Sequence, residues 1–214
     1  MVNPTPNTAA PPRKKQAPWP VIAIFLIALA PVVLALLAYY VPSTGLRPEG
    51  MSNYGKLIVP QRAIPDAGAL ALKTLDGQPF DLKSLHGKWI LLSADQAACP
   101  ESCVKKLFVL RNSHASQGKN VDRLTRVWFV TDNADIPAQV LEAYKGTHFV
   151  RADPVQLAAF LTPAAAHGDI DTALRAPMWI IDPLGHLMME FPRDADATEV
   201  RDDIKTLLKN SRVG

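Results

Sequence analysis

The chain has 214 residues, 48% of them hydrophobic and 20% charged, with a formal net charge of +3 and two cysteines. A chain of this length can bury a core without covalent staples, and two cysteines are too few for a disulfide framework. Arg13, Lys14 and Lys15 account for the charge excess; the other 20 basic residues balance 20 acidic ones, which argues against the basic face of a nucleic-acid-binding protein.

Residues 1–18 are rich in Pro, Asn, Thr and Ala and read as a disordered tail. The uncharged run Val21–Val41 follows. As a helix it reaches ~30 Å, the hydrocarbon thickness of a bilayer. Trp19 at one end and Tyr39 and Tyr40 at the other suit the two interfaces, and Pro31 in mid-span predicts a kink. Residues 19–41 are therefore predicted to be an uncleaved transmembrane helix: the run exceeds a signal-peptide core, and no small-residue cleavage motif follows it. Arg13, Lys14 and Lys15 predict a cytoplasmic N-terminus by the positive-inside rule. The rest then lies across the membrane, which in a bacterium means the inner membrane and the periplasm, where a dithiol can be oxidised.

Residues 42–68 hold Pro, Gly, Ser and Asn with little periodicity and read as a linker, leaving 69–214 as the folded domain. Within it, ALKTL (71–75) is a strand closed by a DGQP turn, and KWILLSA (88–94) is a continuous apolar run suited to a buried central strand. Pro100 to Gln117 reads as a helix, RVWFVTD (126–132) as a strand, and 135–146 as a helix ended by Gly146. THFVRA (147–152) is a strand and 153–161 a short helix. Strands 177–182 and 186–191 flank a PLG turn as a hairpin, and Ala197–Lys209 is an amphipathic helix. This alternation predicts an α/β domain around a covered sheet, with no internal repeat.

Both cysteines, Cys99 and Cys103, fall where a buried strand hands over to a helix. The unpaired amides of a helix N-terminus favour thiolate over thiol, so reactive thiols sit at such places. Four residues of separation put both sulfurs on one side of a helical turn, able to form a disulfide or to hold a soft metal. Zinc wants four ligands and no second cysteine pair exists, so copper(I) is the better metal candidate. A pair of inert buried cysteines is the bland alternative. Met188 and Met189, adjacent in a strand, point to opposite faces and cannot act as a metal-binding pair.

The segment FDLKSLHGKWILLSADQAACPESC resembles the opening of a thioredoxin-like domain. Its CPxxC form, with APMWIIDPLGHLMMEF further on, resembles the Sco/SenC family, whose members are membrane-anchored thioredoxin-fold factors that assemble the copper centre of cytochrome c oxidase. The resemblance spans about residues 69–209 and fits the N-terminal span. It implies a thioredoxin-like fold, a central mixed sheet flanked by helices, preceded by one transmembrane helix. It implies copper as a cofactor, Cys99 and Cys103 as ligands, and a cytochrome c oxidase subunit or other copper or thiol protein as partner. It also implies a cis bond at Ala176–Pro177.

One departure matters. The family's third copper ligand is a histidine about eleven residues before the hairpin glycine; counting back from Gly185 gives Leu174. His167, in the preceding loop, is the nearest substitute, whereas His86, His114, His148 and His186 fall at turn, helix or strand positions and read as structural. Three functions remain open. The first is a Sco-like assembly factor that delivers copper or reduces partner thiols. The second is a periplasmic thiol–disulfide oxidoreductase without a copper role, with Cys99 attacking and Cys103 resolving. The third is a non-catalytic assembly scaffold.

Overall fold

The structure, a computed structural model, describes residues 18–41, 53–165, 168–175 and 177–213. The chain divides into two compact units, Met1–Met51 and Ser52–Gly214. In the first, α1 (Trp19–Tyr40) is a continuous helix with Pro31 inside it and no buried residue. It is long and apolar enough to cross a membrane.

The second unit is built on one eight-stranded mixed sheet in the order β1-β8-β7-β4-β5-β6-β2-β3. Its centre is β4 (Trp89–Asp95), parallel to β5 (Leu124–Val130), which is parallel to β6 (His148–Ala152). All residues of β4 and β5 are buried, because helices cover both faces of the sheet. On the other side of β4 runs the antiparallel hairpin β7 (Met178–Ile181) and β8 (His186–Phe191). The short pair β2 (Leu72–Thr74) and β3 (Pro79–Phe80) closes the sheet beyond β6.

The strand pleat sorts the core into two layers. Leu91, Trp128 and Ile180 point to one face, where they meet α2 (Glu101–Ala115) and α6 (Ala197–Asn210). Ile90, Leu92, Val127, Phe129, Trp179 and Ile181 point to the other, under α4 (Pro154–Leu161) and α5 (Ile170–Arg175). Burying each of these large side chains contributes about 1.5–3 kcal/mol. The helices start where sequence chemistry dictates. Asp153 caps α4 by accepting from Val155 N at 3.0 Å and Gln156 N at 2.9 Å, with Pro154 in the first turn. Asp196 caps α6, which turns Val200, Ile204 and Leu208 inward.

Three elements differ from the sequence reading. The stretch 42–68, read as a linker, contains β1 (Lys56–Ala63), an edge strand antiparallel to β8. The helix expected over 135–146 is the short α3 (Ala138–Ala143), because Pro137 occupies its N-cap. The loop expected before β7 contains α5, which packs Leu174 into the core.

Candidate dithiol site

The sheet delivers the first cysteine at the C-terminal end of its central strand. β4 ends at Asp95, and the chain then turns through Gln96–Ala98 before α2 begins at Glu101. Asp95 O accepts from Thr131 N at 3.0 Å, Ala97 N donates to Asp132 Oδ1 at 3.1 Å, and Cys99 N donates to Gln96 O at 3.0 Å, so the turn is fastened to the end of β5. Cys99 has φ +42°, the one left-handed non-glycine residue among those described. That conformation costs an L-residue about 1–2 kcal/mol, a cost met where surrounding structure over-determines it and often found at functional sites.

Pro100 is the N-cap of α2, so Cys99 lies just ahead of the helix and Cys103 in its first turn. The two are bonded, with Cα atoms 5.0 Å apart. The bend in the backbone at Cys99 brings the two sulfurs together across a turn that is not regular helix. Cys99 is 6% exposed and Cys103 1%, both packed with Leu107, Leu110 and Met178. A cavity of about 810 Å³ opens beside α2, lined among others by Glu101, Ser102, Lys105, Lys106, Arg175 and Arg193.

Beneath the turn lies a group that sequence reasoning missed. Lys106 and Asp95 have side chains only 7% and 0% exposed and form an ion pair with Nζ 3.0 Å from Oδ2. The same ammonium donates to Ala94 O at 2.9 Å and to Arg175 O. Burial pushes the Lys106 ammonium below the usual lysine range, and Asp95 opposes that shift. A signal was present: Lys106 lies three residues after Cys103 on the face of α2 that buries Cys103, Leu107 and Leu110, and Asp95 ends a run in which Ser93 is the one other polar residue.

Among the described residues, no histidine joins the two sulfurs in a metal-binding group. Leu174, at the position where the Sco/SenC pattern has histidine, is 1% exposed and packed with Leu92, Trp179 and Leu187 in the layer opposite the cysteines. His167, the substitute ligand, and the Ala176–Pro177 bond fall outside the described residues. His86 packs against Gly185 at the hairpin turn, and His186 Nδ1 lies 3.5 Å from Asp182 Oδ1. His114 and His148 are held below the ordinary histidine pKa, first by burial and then by positive neighbours, Arg126 for the first and Lys88 and Arg126 for the second. Among the described residues, no three His, Cys, Asp or Glu side chains form a group able to hold a metal. Among the described residues the donor set at the site is thus two sulfurs, which once reduced suit copper(I), a soft ion content with low coordination, better than zinc or copper(II).

A mixed sheet between two helical layers, with a disulfide where its central strand passes into a helix, defines a thioredoxin-like domain. The chain belongs to the family described as transmembrane-like, thioredoxin-like, C-terminal domain, whose model matches residues 89–211. No curated protein matches it. Among solved structures it is similar to Arabidopsis thaliana ScoI with copper bound, at 13% identity and a TM-score of 0.51, covering 74% of this chain and 99% of that one. It is similar also to yeast Sco1 with copper bound, at 19% identity and a TM-score of 0.50, covering 76% of this chain and 96% of that one. At these identities the likeness is one of fold.

Proposed function

We propose that this chain is a membrane-anchored, Sco-like factor in assembly of the cytochrome c oxidase copper centre, working by thiol–disulfide exchange with a partner through Cys99 and Cys103. The observation that carries the reading is the bonded Cys99–Cys103 pair at the turn into α2. In the reduced chain the Cys99 thiolate attacks a partner disulfide, forming a mixed disulfide and expelling one partner thiolate. The Cys103 thiolate then attacks Cys99 Sγ, releases the second partner sulfur and leaves the Cys99–Cys103 bond. Two electrons pass to the partner, and a further dithiol restores the reduced state. The α1 span supports anchoring in the bacterial inner membrane. Arg13, Lys14 and Lys15 support a cytoplasmic N-terminus and a periplasmic catalytic unit.

Copper delivery is the second reading, favoured by the two sulfurs meeting within one turn. Reduced Cys99 and Cys103 would carry copper(I) as cargo, with His167 as an added ligand. The test uses the full chain in detergent and its Cys99→Ser/Cys103→Ser variant. The reduced wild type is expected to exchange with a model peptide disulfide and to take up copper(I) anaerobically, and the variant to do neither. Exchange without copper uptake would leave an oxidoreductase with no copper role. A double-serine variant that still supported oxidase assembly in cells would replace both readings with a scaffold.

A further inference from the structure

We infer that the Lys106 ammonium, clamped by Asp95, is the fixed positive charge that supports the sulfur anion formed at Cys103 when the disulfide opens, so that Cys99 exchanges and Cys103 leaves. The inference rests on the dithiol reading above. Three observations carry it. Lys106 follows Cys103 by three residues on α2, and both belong to the buried face of that helix. Side chains at this spacing are neighbours, with Cβ atoms ~5–6 Å apart. The ammonium is also immobilised: it donates to Ala94 O at 2.9 Å and to Arg175 O, and it pairs with Asp95 Oδ2 at 3.0 Å. Finally, Cys103 is 1% exposed among apolar side chains, so water is not at hand to solvate a charge there.

Fold stability does not account for the pair. A buried ion pair is often no better than well-packed apolar residues, because desolvating two charges offsets their attraction. At position 106 a leucine or methionine would continue the inner face of α2 at less cost. In surroundings of low polarity, however, a fixed cation one turn from a forming anion acts more strongly than in water. Arg175 and Arg193 add to the positive field around Lys106, and Asp95 opposes it from the end of β4.

The step balances as follows. A thiolate of an incoming dithiol attacks Cys99 Sγ and forms a mixed disulfide. The Cys99–Cys103 bond breaks, and its electron pair remains on Cys103 Sγ, one helical turn before Lys106. The second thiolate of the dithiol attacks the first, releasing Cys99 as a thiolate that takes a proton from water. The dithiol is oxidised by two electrons and the protein is reduced by two. Cleavage with the opposite polarity would place the anion on Cys99, outside the helix and farther along the chain from Lys106.

The test uses the full chain in detergent with dithiothreitol as the probe, following the rate of disulfide opening and the reduction potential. Lys106→Met is expected to slow opening about tenfold and to make the reduction equilibrium tenfold less favourable, a potential ~30 mV more negative. Lys106→Arg, which retains the charge, is expected to keep the wild-type values. If Lys106→Met fails to fold because Asp95 is left buried and unpaired, Asp95→Asn/Lys106→Met removes both charges and is expected to show the same slowing. A folded variant that loses only thermal stability, with wild-type rate and potential, overturns the inference while the dithiol reading stands. A wild-type disulfide that dithiothreitol cannot open without denaturant overturns both.

Discussion

Cys99 combines a left-handed backbone, a place just ahead of the α2 N-cap, and greater exposure than its partner, 6% against 1%. The field of the helix N-terminus reaches both sulfurs, so access decides between them. In the reduced protein near neutral pH, Cys99 is expected to alkylate faster than Cys103, read by mass spectrometry of a time course with iodoacetamide. Equal rates, or a faster Cys103, would remove the case for Cys99 as the exchanging sulfur. Leu174 offers a second test at this scale. Because it packs in the layer opposite the cysteines, Leu174→His cannot supply the imidazole missing from the Sco/SenC pattern unless α5 turns over. The expected result is a loss of about 2–4 kcal/mol from a lost core contact and a buried polar ring. Copper(II) uptake, followed by visible absorption, should stay at the wild-type level.

Elements were legible where one physical signal dominated. The runs that became β4 and β5 are mostly apolar, with WILL in the first and VWFV in the second, because both faces of each strand are covered. The period of α6 shows in Val200, Ile204 and Leu208. β1 was hidden because an edge strand need not alternate: Pro60 breaks the run, all of its residues are partly or fully exposed, and its register to β8 shifts between Leu57 and Arg62. α5 is too short to display a period. At the site the cysteines are legible by their spacing, but nothing in the sequence pairs Lys106 with Asp95. Only the folded sheet brings Asp95 beneath it. Backbone and core also come close just before β1. Gly55 leads into it, and a Cβ there would lie 2.6 Å from Met189 Sδ and 2.9 Å from Phe191 Cε1, both on buried side chains. The same residue's N–H donates to Asp203 Oδ2 at 2.7 Å, which ties the lead-in to α6. Gly55→Ala is expected to cost about 1–3 kcal/mol through overpacking, measured by denaturant unfolding.

Charge distribution sets two expectations for the whole molecule. The excess near the N-terminus predicts that a reporter active only in the periplasm works when fused after Gly214, whereas a reporter that works only in the cytoplasm would reverse the orientation and undercut the redox argument. The folded unit also carries positive charge at one end of its parallel strands. Arg126, at the start of β5, is nearly buried and donates to Lys145 O at 3.1 Å, and Arg111 donates to Ala143 O at 3.1 Å, so both cations serve carbonyls at the end of α3. His114 and His148 share this region, and burial first, then Arg126 and Lys88, hold both below the reference value of 6.5. Asp122 opposes the shift at His114. The unfolded chain releases these histidines to their ordinary pKa, so just below pH 6.5 it binds more protons than the folded state does. Stability is then full above that value and falls as the pH drops through it, levelling once the folded-state histidines are themselves protonated. The melting temperature of the full chain in detergent should therefore fall between about pH 7 and pH 5. A His114→Gln/His148→Gln variant should show a shallower decline over that interval. An equally steep decline in the variant would assign the acid sensitivity to other groups and leave the two histidines as simple packing residues.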